Sequence, residues 1–185
     1  MSSRMRCRRR PMLILPLLLA ACVAAESTDT GPPSAETRID MAARTASVDD
    51  RVVLVKFGAS WCDWCARFDQ ALHSFELGRL IADNYVLVDI TVQESDDKLA
   101  LETPGGQEFL DAMGGTGAGI PFYVFLDTEG AKLADSKAMP NGGNIGYPVT
   151  SEEIGKFDGL LARTAPRMTA GDRGRVMDYL ETHAP

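Results

Sequence analysis

Two cysteines, Cys62 and Cys65, lie three positions apart in the stretch ASWCDWCARF, and each directly follows a tryptophan, Trp61 or Trp64. Two thiols at this spacing can form a reversible disulfide, supply half of a metal site, or remain as two buried thiols. The chemistry that this chain can perform depends on which of the three applies.

A helix that begins at Cys62 gives the two thiols different properties. The β-branched run RVVLVKF (51–57) predicts a strand that ends just before them. Unpaired N–H groups at a helix start stabilise a thiolate at Cys62, whereas Cys65 falls one turn later on the buried face. Cys62 is therefore the predicted nucleophile and Cys65 the sheltered, resolving thiol of a disulfide exchange. The apolar residues that predict the helix recur at spacings of three and four: Cys65, Phe68, Leu72 and Phe75.

The metal alternative lacks ligands. A zinc site needs three or four of them, and the chain has no second cysteine pair and only two histidines, His73 and His183. The glycine-rich stretch 114–119 lacks the Lys-Ser/Thr of a phosphate loop. No metal and no cofactor is predicted.

The remaining elements predict an α/β domain. Further strands are expected at 85–92, 120–127 and 131–136, the last two forming a hairpin across Glu129-Gly130. Helices are expected at 36–47, within 103–115, and in two closing segments that begin at Thr150, with Glu153 completing a capping box, and at Thr169. This order fits a small sheet covered by helices on both faces.

The first 21 residues have the features of an export signal. Five arginines and no acid precede an apolar run too short to span a bilayer. The run ends in Leu19-Ala20-Ala21-Cys22, which resembles the bacterial lipoprotein box and implies lipidation of Cys22. An ordinary signal peptide, with Cys22 incidental, is the alternative. Val23 follows Cys22, and by resemblance to lipoprotein sorting in enterobacteria the absence of aspartate at this position favours the outer membrane. We expect residues 22–36 to form a flexible tether and residues 37–185 the domain.

Removing the signal makes the protein strongly acidic. The whole chain has 19 basic and 26 acidic residues, and loss of the five arginines leaves 14 basic residues and a net charge of −12. This balance excludes a nucleic-acid-binding surface and leaves membrane attachment to the lipid. Cys7 leaves with the signal and Cys22 carries the lipid, so Cys62 and Cys65 remain as a pair in an oxidising compartment.

Two segments resemble the thioredoxin superfamily, and the resemblance spans about residues 48–163. VLVKFGASWCDWC resembles the first strand and active site of its exported thioredoxin-like branch, and MGGTGAGIPFYVFLDTEG resembles the segment that carries a cis-proline, here Pro121. The resemblance implies a thioredoxin fold, with a central mixed β-sheet flanked by helices, and here an extra C-terminal helix. It also implies that the backbone of Ile120 pairs with a substrate peptide beside the disulfide. Trp61 and Trp64 are expected to form the surface edges of this site, where they could contact substrate.

Two residues depart from the thioredoxin pattern. Lys56 occupies a position where thioredoxins usually hold a buried acid. It either approaches Cys65, stabilising its thiolate or accepting its proton, or turns its ammonium to solvent. Asp63, between the cysteines, opposes a thiolate at Cys62 and favours a more reducing couple.

Together these features predict a lipid-anchored periplasmic thiol–disulfide oxidoreductase. It would reduce protein disulfides with electrons from a membrane thiol relay. The alternative is a redox-inert binding module of the same fold, with a structural disulfide, that presents the proline loop to a partner. The loop 140–148 could join that contact, although a solvated connection is expected.

Overall fold

The computed structural model describes residues 31–184, so the predicted export signal, Cys22 and most of the tether lie outside the described residues. The helix α1 begins at Ala35, so the last two residues of the predicted tether are helical. Within residues 31–184, no helix is long and apolar enough to cross a membrane. The elements in chain order are α1 (Ala35–Asp49), β1 (Val52–Gly58), α2 (Asp63–Leu72), α3 (Gly78–Asn84), β2 (Tyr85–Thr91), a 3-10 helix (Asp96–Leu101), α4 (Gly106–Ala112), β3 (Phe122–Leu126), β4 (Lys132–Asp135), α5 (Ser151–Thr164) and α6 (Ala170–Thr182).

The four strands form one mixed sheet in the order β2-β1-β3-β4. Strand β1 pairs parallel to β2 and antiparallel to β3, and β3 and β4 form the expected hairpin. This confirms the predicted mixed sheet flanked by helices and the additional C-terminal helix. The third strand starts at Phe122, so Ile120 and Pro121 precede it.

Strand β1 is buried on both faces, which explains its continuous apolar sequence. Val53, Val55 and Phe57 face one core, which α1 and α4 cover. Leu54 faces the other core, which α2, α3, α5 and α6 cover. Because side chains alternate along a strand, Lys56 shares the face of Leu54 and points toward α2.

Both closing helices begin at side-chain caps. The capping box of Thr150 and Glu153 on α5 is confirmed, and α6 has a second box in which Asp172 pairs with Thr169. Partial burial raises the pKa of Glu153, but hydrogen bonds from Thr150 and Val149 outweigh it and leave the pKa lowered.

One part of the helix prediction is wrong. Helix α2 ends at Leu72 with His73 as its C-cap, and Phe75 is fully exposed. The chain turns at Ser74, whose hydroxyl accepts a hydrogen bond from the Leu77 N–H, and Leu77 is buried. A second short helix, α3, follows that turn and was not predicted from the sequence.

Candidate active site

Cys62 is the N-cap of α2, four residues after the end of β1. It is joined by a disulfide to Cys65. The Cys62 Sγ also accepts a hydrogen bond from the Cys65 N–H at 3.1 Å. A sulfur therefore occupies the acceptor position of a helix cap, where free N–H groups and the helix dipole stabilise negative charge. Reduction of the disulfide would leave the Cys62 sulfur at a position that favours the thiolate form.

The two cysteines differ in their neighbours more than in their exposure. Cys62 is 6% exposed and Cys65 is 3% exposed, so the sequence-based contrast between a reachable and a sheltered thiol is small in the disulfide form. Cys65 faces β1, where a Cβ atom at Gly58 would come within 3.1 Å of its Sγ. Cys62 instead faces the Ile120 loop, which we define as residues 119–121.

The Ile120 loop brings a backbone carbonyl to the disulfide. The Ile120–Pro121 bond is cis, as the resemblance implies, and the Ile120 oxygen lies 3.7 Å from Cys62 Sγ. A disulfide sulfur has no proton to donate, so this contact becomes a possible hydrogen bond only when Cys62 is a thiol. Ile120 is half-buried and Pro121 is buried.

Exposed apolar side chains surround the disulfide. Trp61 is 54% exposed, and its Nε1 donates to the Gln93 carbonyl at 2.8 Å. Trp64 is 44% exposed and stacks on Tyr147, with their ring centroids 6.1 Å apart. Leu101, at the end of the 3-10 helix, is also exposed. Apolar surface of this kind around a reactive group suits contact with a polypeptide.

Lys56 is buried beside the disulfide. It lines the same cavity, of about 490 Å³, as Cys62 and Cys65. Its Nζ forms ion pairs with Asp69 on α2 and, at 3.1 Å, with Asp89 on β2. The lysine side chain is only 7% exposed, so the alternative in which its ammonium turns to solvent is wrong.

The acids of this cavity were not predicted from the sequence. Asp69 lies four residues after Cys65, on the same side of α2, and Asp89 is the register partner of Lys56 on β2. Glu94 is buried and accepts hydrogen bonds from the Ser60 N–H at 2.5 Å and the Ser60 hydroxyl at 2.8 Å. Asp63, by contrast, is exposed in the first turn of α2.

Two buried tyrosines near α2 remain uncharged at neutral pH. Burial raises the pKa of Tyr123 well above its ordinary value, with a smaller contribution from Glu153. Burial also raises the pKa of Tyr147, assisted by Tyr179 and opposed by Arg67. These two tyrosines therefore add no negative charge beside α2.

The histidines lie apart from the cysteine pair. His73 Nδ1 contacts the Asp69 carbonyl oxygen at 2.9 Å, and His183 Nδ1 contacts the Tyr179 carbonyl oxygen at the same distance. Within residues 31–184, no cluster of three or more His, Cys, Asp or Glu side chains is placed to hold a metal ion.

Comparison with known proteins relates the chain to one family. A family model described as thioredoxin-like matches residues 34–128. A relative from Chlamydia pneumoniae named disulfide bond reductase DsbH is 27% identical over 140 residues, covering 69% of this chain and 83% of the relative. A crystal structure of a disulphide isomerase from Xylella fastidiosa Temecula1 is 22% identical, covers 85% of this chain and 92% of that chain, and has a TM-score of 0.48. A structure of a protein named DsbH oxidoreductase is 22% identical, covers 71% of this chain and 87% of that chain, and has a TM-score of 0.43.

Proposed function

Because the chain belongs to the thioredoxin-like family, we propose that it is a thiol–disulfide oxidoreductase that reduces disulfides in exported proteins. One observation supports this most directly: the Cys62–Cys65 disulfide caps α2 directly beside the Ile120 carbonyl, within a rim of exposed tryptophans. The name of the Chlamydia relative, a disulfide bond reductase, supports the same activity and direction.

The reduced pair performs the reaction in two exchanges. The Cys62 thiolate attacks one sulfur of a substrate disulfide, the substrate S–S bond breaks, and the departing thiolate takes a proton. The Cys65 thiolate then attacks Cys62 Sγ, which breaks the mixed disulfide and releases the second substrate thiol. The enzyme ends in the Cys62–Cys65 disulfide seen here, having given two electrons to the substrate. A partner dithiol must return those electrons.

Lys56 is proposed to assist the second exchange. Its ammonium lies in the cavity that Cys65 lines and is held by Asp69 and Asp89. A fixed positive charge there stabilises the Cys65 thiolate as its proton leaves, and the two half-exposed carboxylates connect the cavity to solvent. Asp63, exposed beside Cys62, is proposed to disfavour the Cys62 thiolate and so make the couple more reducing.

The proposed location is the periplasmic side of a bacterial envelope. The arginine-rich, apolar first 21 residues and the lipoprotein-type sequence before Cys22 support export and lipid anchoring, with Val23 favouring the outer membrane. A reductase in an oxidising compartment needs an electron supply from outside it, so a membrane thiol relay is the proposed donor. Exported proteins that contain disulfides are the proposed substrates.

Titration of the disulfide against glutathione tests the proposed function. We expect a reduction potential between about −200 and −280 mV, together with catalysis of the reduction of a peptide disulfide by dithiothreitol. A potential near −120 mV would instead indicate an oxidant. A potential below about −300 mV without catalysis would indicate the structural disulfide of a binding module. Either result would contradict the proposed reductase function.

The same assay tests the role of Lys56. Lys56→Met is expected to slow disulfide exchange at least about tenfold and to change its pH profile, because it removes a positive charge from the cavity that Cys65 lines. The fold should persist, because Asp69 and Asp89 are 43% and 58% exposed and can be hydrated. Lys98→Met is the matched control, since among the described residues 31–184 the Lys98 ammonium bonds only to the Ser60 hydroxyl, at 3.4 Å. An unchanged rate and pH profile for Lys56→Met contradicts the proposed role.

A further inference from the structure

The loop 140–148 packs against the active site. A solvated connection was expected, but Ile145, Tyr147 and Pro148 are buried. The Ile145 N–H donates to the Ser136 carbonyl at 2.9 Å. The Ser136 N–H in turn donates to the Tyr123 carbonyl of β3, and the Ser136 hydroxyl accepts from the Tyr123 N–H. The expectation was wrong because apolar side chains anchor the back of this loop in the core.

Asn144 joins this loop to the Ile120 loop. Its Nδ2 donates to the Gly119 carbonyl at 3.1 Å and to the Pro121 carbonyl at 3.0 Å. Its Oδ1 accepts from the Gly146 N–H at 3.2 Å. These three bonds fix the orientation of the amide, because only the NH₂ group can donate to two carbonyls while the oxygen faces an N–H.

The two carbonyls that Asn144 holds are those on either side of Ile120. Within residues 31–184, the Ile120 N–H has no hydrogen-bond partner, and its carbonyl oxygen faces Cys62 Sγ at 3.7 Å. Asn144 therefore constrains the flanking peptide groups and leaves the two polar groups of Ile120 available. An available N–H and C=O on a fixed backbone segment are what an incoming polypeptide strand pairs with.

The loop also supplies a wall beside that backbone. Tyr147 stacks on Trp64 at the rim of the site and meets Phe68 of α2 edge-on, with ring centroids 6.3 Å apart. Gly146 lies close enough to Pro121 that a Cβ there would be 3.7 Å from its ring and its carbonyl oxygen. The Ile120 loop is thus held between the disulfide and a segment that the buried side chains of Ile145 and Tyr147 anchor in the core.

We propose that Asn144 is a positioning residue that fixes the Ile120 backbone for pairing with an extended polypeptide, and that it thereby favours polypeptide disulfides over low-molecular-weight ones. This inference rests on the proposed reductase function. Asn144 touches neither sulfur, so it acts through the Ile120 loop. A small disulfide that does not pair with Ile120 gains nothing from it.

Steady-state kinetics with two disulfides test the inference. The substrates are a short peptide dimer joined by one disulfide and hydroxyethyl disulfide, with saturating dithiothreitol as the reductant. Asn144→Ala is expected to raise KM for the peptide dimer about tenfold with kcat changed less than about twofold, because the hydrogen bonds that it removes serve binding. The rate with hydroxyethyl disulfide should stay within about twofold of the wild type.

A second variant and a control keep the test specific. Asn144→Asp places a carboxylate against two carbonyl oxygens and should raise KM at least as much, with partial recovery at low pH, where a protonated carboxyl donates again. Asn141→Ala, which removes only an acceptor for the Gly143 N–H in the same loop, should match the wild type. The hydroxyethyl disulfide rate also reports that each variant has a folded active site.

The outcomes separate this inference from the proposed function. If the wild type does not accelerate reduction of the peptide dimer, the proposed reductase function fails. If the wild type is active but Asn144→Ala has the same peptide KM as Asn141→Ala, the inference about Asn144 is overturned alone. An equal loss with both disulfides assigns Asn144 a structural role and also overturns it.

Discussion

Replacing Cys62 with serine is expected to lower the rate of peptide-disulfide reduction by at least about a thousandfold, because a hydroxyl at the start of α2 cannot replace a thiolate as the attacking group. Serine retains an oxygen that can accept the Cys65 N–H, so the helix cap and the fold should survive. The measurement is the steady-state rate with dithiothreitol as reductant, together with a thermal unfolding curve of each variant.

Cys65→Ser is the matched control. It also abolishes turnover, but it keeps the attacking thiol, so it should accumulate a mixed disulfide between Cys62 and the peptide. Mass spectrometry under non-reducing conditions detects this adduct. If Cys62→Ser retained a tenth of the wild-type rate, or if it formed the adduct through Cys65, the assigned roles would be reversed or wrong.

Replacing Phe68 with alanine is expected to destabilise the protein by about 3–5 kcal/mol, a large part of a typical folding free energy. Phe68 is 1% exposed and lies at the centre of an aromatic cluster that joins α2 to the sheet, to α5 and to the loop 140–148. Urea unfolding, followed by far-UV circular dichroism, measures the change. The centroid of the Phe68 ring lies 4.9 Å from that of Tyr123, 6.0 Å from that of Phe157 and 6.3 Å from that of Tyr147.

Phe75→Ala provides the comparison for Phe68→Ala. Both phenylalanines fall in the apolar pattern of the same predicted helix, but Phe75 is fully exposed and should change the free energy of unfolding by less than about 0.5 kcal/mol. Similar losses for the two variants would contradict the packing described here. So would a loss below about 1 kcal/mol for Phe68→Ala.

The central strands were predictable because burial on both faces leaves a clear sequence signal. A run such as that of β1 can face two cores only as an inner strand of a covered sheet. The cysteine pair and Pro121 were predictable because their spacing and neighbours resemble a known family. Phe75 shows the limit of periodicity, since spacing alone did not reveal the turn at Ser74 that ends α2.

The surroundings of the cysteines were not predictable in the same way. Lys56 meets Asp89 only because β1 and β2 pair in one particular register, and it meets Asp69 only because α2 crosses that face of the sheet. Asn144 reaches the Ile120 loop through an irregular segment without periodicity. Such contacts join residues distant in sequence, and a single sequence contains no pattern that records them.

Alkylation of the reduced wild-type protein tests the central claim most directly. The claim is that Cys62, capping α2 beside the Ile120 loop, is the attacking thiol, whereas Cys65, packed against Gly58, is the resolving one. Brief treatment with iodoacetamide at neutral pH, followed by peptide mapping, should show Cys62 modified at least about tenfold faster than Cys65. Equal rates, or faster modification of Cys65, would contradict the account.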